Sequence, residues 1–301
     1  LSDTVIVATI NPKTKKTTRM SIPRDTLAKI KGASSSSIQK INAAYELSGA
    51  RATKKTVESL LNIPIDYTVT INMKGLKSLV DAVGGVTVTS KYNFTFDHVT
   101  IKKGTHHLTG KEALSFARMR YDDPLGDYGR QMRQQQVIKA VAKKLMSANS
   151  VTKYSKILNI VKKNVSTDMN FKTMLAMAEK YRSAGTTIKS DHLQGQSATI
   201  DGSSYQIAST KELRRVSKKI RKTLGLSAVT VKNTETALNA ANPYFDGSTY
   251  TTYNVYANTD TSTETADATT TTGTDTTTGT DTTGADTTGT INTQTNQQPT
   301  Y

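Results

Sequence analysis

Two arginines and a glutamine occupy core-facing positions of a helix predicted over residues 129–145. The apolar side chains of this helix, such as Val141, form one stripe, and steps of three and four residues back along it reach Arg130, Arg133 and Gln134. Burial of an unpaired guanidinium group is costly. These side chains therefore need carboxylate partners, or they line a cavity that receives an anion near the positive end of the helix.

A salt-bridge cluster with Asp122, Asp123 and Asp127 is the simpler interpretation, and these residues alone leave both interpretations open. Arg118 and Arg120 favour the anion site, because residues two apart in an extended segment project to the same side. Planar guanidinium groups also suit the paired oxygens of a phosphate. A solvated helix end is the alternative for this pair.

A third set of polar residues lies at the ends of predicted strands. Arg24 and Asp25 follow a strand that Pro23 ends, at the place where open α/β sheets build ligand crevices. An internal ion pair in an ordinary turn is the alternative. Asp3, at the start of the first strand, is a candidate ligand for a hard metal ion or a strand-end cap.

No pattern in this sequence indicates covalent catalysis. Cysteine is absent, which excludes disulfides and thiolate metal sites, and no His or Ser arrangement indicates a covalent intermediate. His106 and His107 lie beside a Gly-Thr turn, and we interpret them as a surface feature rather than a metal-ligand pair.

Strands alternate with helices at a spacing that predicts an α/β fold, a three-layer α-β-α sandwich with a central mixed β-sheet. The hydrophobic patterns predict strands over residues 4–10, 17–22, 67–71 and 86–88, and helices over 41–47, 53–61, 73–83, 110–120 and 129–145. Weaker patterns predict helices over 151–163 and 171–182, a hairpin over 199–208, and a basic helix from 210 to near 225.

Charge and composition divide the chain in two. All 40 Lys and Arg but only 16 of the 24 acids lie in residues 1–232, a net charge of +24 that implies an anionic partner. From residue 233 onward Thr, Asp, Gly and Asn dominate, a composition that cannot offset the entropy cost of ordering. We therefore predict a domain over 1–232 and a disordered tail over 233–301.

No run of 18 apolar residues is present, so the sequence predicts no membrane-spanning segment. Because residue 1 precedes a strand directly, we expect that the natural protein begins earlier and that an N-terminal membrane anchor is absent here.

Together these stretches resemble the LytR-CpsA-Psr domain, in order and spacing, over residues 1–146. The motifs that carry the resemblance are Ser2-Asp-Thr4, Thr9-Ile-Asn-Pro-Lys13, Ser21-Ile-Pro-Arg-Asp-Thr26, Lys40-Ile-Asn-Ala-Ala-Tyr45, Val80-Asp-Ala-Val-Gly-Gly-Val86, Arg118-Met-Arg120 and Asp127-Tyr-Gly-Arg-Gln-Met-Arg-Gln134.

The resemblance implies roles for individual residues. The pyrophosphate-binding residues of the family correspond to Arg24, Arg118, Arg120, Arg130 and Gln134. Asp3 corresponds to one of two aspartates that serve Mg²⁺, with Mn²⁺ as an alternative ion, and the second is expected before residue 1. The catalytic set is accordingly Asp3, Arg24, Arg118, Arg120 and Arg130. Leu1 stands where the family often has another arginine. The resemblance also implies a hydrophobic tunnel for a polyprenyl chain.

The implied activity is a phosphotransferase-type ligation on the outer face of a bacterial membrane. An anionic glycopolymer, wall teichoic acid or capsular polysaccharide, passes from undecaprenyl pyrophosphate to a muramic acid hydroxyl of peptidoglycan. A binding module for polyprenyl phosphate or wall polymer, without catalysis, is one alternative. A DNA-binding regulator is another, but the basic helix over residues 211–222 lacks a paired preceding helix and interleaved aromatic residues. We expect no nucleic-acid partner.

Overall fold

The computed structural model describes residues 2–34, 37–120, 122–146, 163, 165–180 and 187–257. The helices are α1 (Ala43–Leu61), α2 (Met73–Ala82), α3 (Gly110–Arg118), α4 (Gly126–Met146), α5 (Phe171–Lys180), α6 (Thr210–Leu224) and α7 (Thr234–Ala241). The strands are β1 (Val5–Asn11), β2 (Lys16–Ile22), β3 (Leu27–Lys29), β4 (Ile38–Lys40), β5 (Val69–Ile71), β6 (Val86–Ser90), β7 (Phe94–Phe96), β8 (Val99–Ile101), β9 (Gly104–Leu108), β10 (Val165–Thr167), β11 (Thr187–His192), β12 (Gln196–Ile200) and β13 (Ser203–Ile207). Over these ranges, every helix is too short or too polar to cross a membrane.

β2 is the middle strand of a mixed sheet, with β1 antiparallel on one side and β11 parallel on the other. Beyond its first residue β2 is buried, as expected for a strand between two helical layers. Met20 packs with Leu213 of α6 in one core. Arg19, the preceding residue, faces α4 and donates to the backbone oxygen of Gln135. Helices therefore cover both faces, and the predicted α/β fold with a central mixed sheet is confirmed.

A second core joins α2, α3 and α4 to the ribbon of β6 and β9. Phe116 of α3, Val137 of α4 and Val86 of β6 are fully buried in it. α3 begins at a capping box, in which the Thr109 side chain caps the helix and the Glu112 carboxylate accepts from the Thr109 backbone N–H at 2.8 Å. The cap and this core fix where α3 ends, near the predicted site.

α1 is interrupted where the sequence predicts a break between two helices. Ser48 (φ −159°) and Gly49 (φ 62°, ψ −152°) depart from helical geometry. The positive φ of Gly49 favours glycine there. The helices predicted over 41–47 and 53–61 are thus confirmed as two segments of one interrupted element. The predicted hairpin over 199–208 is also present, as β12 and β13.

β11 lies outside every predicted strand, because its sequence, Thr-Ile-Lys-Ser-Asp-His, lacks apolar alternation. Parallel pairing with β2 holds it on one side. On the other, the Asp191 carboxylate accepts from Arg215 Nη1 of α6 at 2.8 Å and from the Lys219 ammonium. Two cations of the basic helix therefore bind the sheet.

The prediction of a disordered tail from residue 233 is wrong for residues 233–257. α7 places Leu238, fully buried, in a core with Tyr253, Leu27 and Ile207. Glu235 is also buried and accepts from the backbone N–H of Lys29 at 2.6 Å. A few well-placed apolar side chains suffice to anchor a segment whose overall composition is polar. The rest of the predicted tail, 258–301, and nearly all of the helix predicted over 151–163 lie outside the described residues.

Replacement of Asp191 by Asn should lower the free energy of unfolding by about 1 kcal/mol at neutral pH, a value reduced by the exposure of its partners. Partial burial raises the pKa of Asp191, but hydrogen bonds from Arg215 and Lys219 outweigh it and bring the pKa to about 2, below the ordinary 3.8. The contribution is therefore present above pH 4 and lost as the pH falls toward 2. Urea denaturation across this range checks it, and equal stability of the two proteins at pH 7 would contradict it.

The anchoring of residues 233–257 predicts that Leu238→Ala lowers the free energy of unfolding by about 2–4 kcal/mol, the usual cost of a large cavity in a core. Leu226→Ala is the control, because Leu226 is 40% exposed. Thermal denaturation of both variants measures the difference. A Leu238 variant as stable as the control would show that this segment does not belong to the folded unit.

Candidate active site

Arg130, on the second turn of α4, is a buried cation at the centre of a charged cluster. Burial lowers its pKa, and the positive charges of Arg24 and Arg120 lower the pKa further, whereas Asp127 and Asp3 raise it. Its Nη2 donates to the Asp127 carboxylate, and its Nε–H is buried without a hydrogen-bond partner in the described part of the chain. We name these five residues the arginine cluster.

Arg24 enters the arginine cluster from the end of β2, the crevice position that the sequence predicts. Its Nη1 lies 3.4 Å from Asp3 Oδ1 and its Nε lies 3.6 Å from Asp25 Oδ2. Asp25 is also 3.7 Å from the Lys40 ammonium. The Arg24 backbone oxygen accepts from the Asn42 N–H at 3.2 Å, which ties the start of α1 to the site.

Gln134 lies one turn beyond Arg130 on the same face of α4. Its Oε1 accepts from the Thr4 hydroxyl at 2.8 Å, so the side-chain amide is oriented by the residue next to Asp3. The carboxylate of Asp3 is 55% exposed. Gln134 thus offers an amide nitrogen as a hydrogen-bond donor, and Asp3 offers a carboxylate that can bind a metal ion.

The two arginines of Arg118-Met-Arg120 have different surroundings. α3 ends at Arg118, and the extended, buried Met119 follows. Arg120 contributes positive charge at Arg130. The guanidinium of Arg118 lies 5.7 Å from the Phe96 ring centroid and 3.8 Å from Asp97. The structure therefore brings Arg120 to the arginine cluster, whereas the described contacts of Arg118 lie outside it.

Arg133 adopts the structural role that the sequence left open as an alternative. It forms a buried ion pair with Asp123, and its Nε donates to the Phe116 backbone oxygen at 2.9 Å. It also donates to the Met119 backbone oxygen. A side chain at Gly129 would collide with the Asp123 carboxylate. Arg133 therefore locks the end of α3 onto α4, and each of its three side-chain nitrogens donates a hydrogen bond.

Several supporting residues were not identified from the sequence. Thr4 and Lys40 gain their roles only through contacts distant in sequence. Arg19, a charge inside the strand predicted over residues 17–22, was a detectable signal. It is 5% exposed, and its guanidinium donates to the Gln135 backbone oxygen and to the Ser190 hydroxyl. It joins β2 to α4 and β11 behind the arginine cluster.

The histidine pair forms surface contacts. His106 Nε2 lies 2.7 Å from the Lys102 backbone oxygen, and His107 Nε2 lies 2.9 Å from that of Gly84. Adjacent residues of a strand project to opposite faces. The described residues contain no group of three or more His, Cys, Asp or Glu suited to a metal ion.

The arginine cluster can bind a doubly charged anion. With Asp25 beside Arg24 and Lys40 beside Asp25, four cations face three carboxylates, so one positive charge is in excess before any anion arrives. Guanidinium groups pair with two phosphate oxygens at once. The geometry thus fits a phosphate or diphosphate at the junction of β2, the start of β1 and α4.

The sequence matches the LytR_cpsA_psr family over residues 1–222. The polyisoprenyl-teichoic acid–peptidoglycan teichoic acid transferase TagU of Enterococcus faecalis is 47% identical over 223 residues, which are 74% of this chain and 73% of TagU. Biofilm regulatory protein A of Streptococcus mutans is 42% identical over 261 residues, 82% of this chain but only 64% of that protein.

A crystal structure shows the same fold. A Streptococcus agalactiae protein that is 42% identical superimposes with a TM-score of 0.73, over 77% of this chain and 83% of that one. The motifs, the fold and the match over residues 1–222 agree. This chain belongs to the LytR-CpsA-Psr family.

Proposed function

We propose that this chain transfers an anionic glycopolymer, wall teichoic acid or capsular polysaccharide, from polyprenyl pyrophosphate to a muramic acid hydroxyl of peptidoglycan. The observation that carries the proposal is the buried guanidinium of Arg130, which lies near the cations Arg24 and Arg120. Its Nε–H has no hydrogen-bond partner among the described residues. The name of the Enterococcus faecalis relative, a teichoic acid transferase, supports the same chemistry.

In this reaction the acceptor hydroxyl oxygen bonds to the sugar-proximal phosphorus, and its proton passes to a base, for which the carboxylates of Asp3 and Asp25 are candidates. The bond from that phosphorus to the bridging oxygen breaks, and polyprenyl phosphate leaves with the electron pair. Negative charge spreads over the phosphoryl oxygens, so fixed positive groups lower the barrier. Arg24, Arg120 and Arg130 supply those charges, and Gln134 donates a hydrogen bond. Arg118 stays a predicted phosphate ligand.

The residues present fit a Mg²⁺ or Mn²⁺ ion that the diphosphate shares. Mg²⁺ binds in proteins through one or two carboxylates together with substrate phosphates and water. Asp3 offers an exposed carboxylate whose only described contact is Arg24 at 3.4 Å. When bound, the ion would neutralise charge on the phosphate oxygens.

The polymer-transfer reaction places its substrates at a membrane and a cell wall. We propose that the chain works on the outer face of the cell membrane, held by an N-terminal membrane anchor. The polyprenyl chain of the donor substrate lies in an apolar tunnel in this proposal. The membrane surface and peptidoglycan are its partners in this proposal.

A DNA-binding function is less consistent with the basic helix α6. Its apolar face, with Leu213 and Ile220, packs in the core, and Arg215 and Lys219 bind Asp191. The helix therefore covers the sheet, with part of its charge neutralised internally.

Arg130→Ala should reduce the rate of polymer transfer by about 10²–10³, the usual loss when one transition-state donor is removed. The assay follows a lipid-pyrophosphate-linked donor to peptidoglycan-bound product. Arg214→Ala, at an exposed arginine of α6, is the matched control and should retain full activity. Unchanged turnover in the Arg130 variant would contradict its role. Binding of the donor without product in the wild type would favour a non-catalytic module.

Asp3→Asn should raise the Mg²⁺ concentration needed for half-maximal transfer by on the order of 10- to 100-fold, because a neutral amide replaces a charged ligand. The rate is measured while Mg²⁺ is varied after treatment with a chelator. Asp97→Asn, at another exposed carboxylate beside an arginine, is the control. The same Mg²⁺ dependence in all three proteins would show that Asp3 does not bind the ion.

A further inference from the structure

A basic cleft of 450 Å³ lies between α1 and the two-stranded ribbon of β5 and β10, outside the arginine cluster. Cationic and hydroxyl side chains dominate its lining. The lining residues used below are Arg51, Lys54, Lys55, Thr68, Thr167 and Asp168.

The cations of the basic cleft come from one face of α1, because residues three and four apart share a helical face. Lys54 Nζ donates to the Asp66 backbone oxygen at 3.0 Å, and Lys55 Nζ lies 3.1 Å from the Glu58 carboxylate. Neither contact uses every donor of its ammonium group. Among the described residues none forms a hydrogen bond or ion pair with Arg51. Donors for an anion are therefore open on this wall.

The opposite wall is a fixed set of oxygen-bearing groups. The backbone N–H of Thr68 donates to Asp168 Oδ1 at 2.7 Å, and the Thr167 hydroxyl donates to the Thr68 backbone oxygen at 2.7 Å. These bonds hold β5 and β10 together at the cleft. The wall thus offers carboxylate and hydroxyl oxygens that can accept from the hydroxyl groups of a polyol.

The basic cleft lies within reach of the arginine cluster. The start of α1 is tied to Arg24 through the N–H of Asn42. Arg51 follows Ala43 by eight residues, which is roughly 12 Å at the helical rise of 1.5 Å per residue. A few repeat units of a polymer chain are long enough to span a separation of this order.

We propose that the basic cleft binds the phosphodiester backbone of the polymer that is being transferred. The identity of the polymer rests on the proposed function. A polyol phosphate chain alternates anionic phosphates with hydroxyl groups, which match cations on one wall and oxygen acceptors on the other. None of the described lining residues is aromatic, so stacking of nucleic-acid bases has no platform. A flat bilayer surface does not enter a concave cleft.

Binding of a soluble, lipid-free poly(glycerol phosphate) chain tests the proposal directly. Arg51→Gln/Lys54→Gln should weaken binding by roughly 10-fold or more, since each lost cation removes electrostatic attraction to the anionic chain. Each lost contact should also lower the salt dependence of the logarithm of the binding constant by about 1. Arg214→Gln/Lys218→Gln removes the same charge from the exposed face of α6 and should bind as the wild type does. Equal weakening in both variants would show general attraction and overturn the proposal.

Vesicles that contain phosphatidylglycerol distinguish a lipid contact from a polymer site. The double variant Arg51→Gln/Lys54→Gln, called the cleft variant below, should bind such vesicles as the wild type does. Loss of vesicle binding with polymer binding retained would assign the cleft to the membrane and overturn the proposal. Melting temperatures show whether each variant is folded. If the double variant does not fold, the single variant Arg51→Gln replaces it in both binding experiments.

Donors of two lengths separate this proposal from the proposed function. The cleft variant should lower kcat/KM for a donor with many repeats and leave a donor with one repeat unchanged, whereas Arg130→Ala lowers both. If the wild type transfers polymer and the cleft variant still binds polymer fully, only the proposal for the cleft is overturned. Absence of wild-type transfer, with polymer binding lost in the cleft variant, would overturn only the proposed function.

Discussion

Burial and two neighbouring cations destabilise the charged form of Arg130. The site depends on this destabilised positive charge. Both effects lower its pKa, and Asp127 and Asp3 offset them in part. A diphosphate that enters the cluster supplies the missing negative charge and an acceptor for the buried Nε–H. The free energy of that neutralisation is available where charge develops during phosphoryl transfer. The fold, not the substrate, holds the cations close together.

Two arginines three residues apart on α4 show how the fold separates structure from function. Each side-chain nitrogen of Arg133 donates a hydrogen bond, to Asp123 or to the C-terminal end of α3, so Arg133 holds the segment that leads to Arg120. Arg130 keeps one donor open. Arg24 follows the end of β2. Because β2 is buried on both faces, the position of this strand end is fixed. Fixed elements thus position each charge, as electrostatic catalysis requires.

The sequence was sufficient for the fold where local pattern and tertiary packing agree. A β-branched run and turn residues predict β1 and β2, and two separate helical patterns predict the break near Gly49; all are present. β11 was missed because its pairing with β2 comes from a distant part of the chain. Residues 233–257 were misassigned because composition averages over a segment, whereas a few buried side chains, Leu238 and Tyr253 among them, anchor it.

The arginine cluster was predictable as a set of residues and not as a geometry. Spacing on one helix identifies Arg130 and Arg133 equally, and only the position of Asp123 assigns Arg133 to the scaffold. The role of Thr4 depends on a contact with Gln134, 130 residues away in sequence. Local pattern contains no information on such pairs.

Nuclear magnetic resonance of the arginine Nε–H groups, during titration with geranyl pyrophosphate and Mg²⁺, tests the central claim most directly. The account predicts that the signals of Arg24, Arg120 and Arg130 shift together with a single dissociation constant, with the Arg130 signal most affected, while Arg214 stays unchanged. An Arg130 signal that does not respond, or shifts confined to exposed arginines such as Arg214, would contradict it.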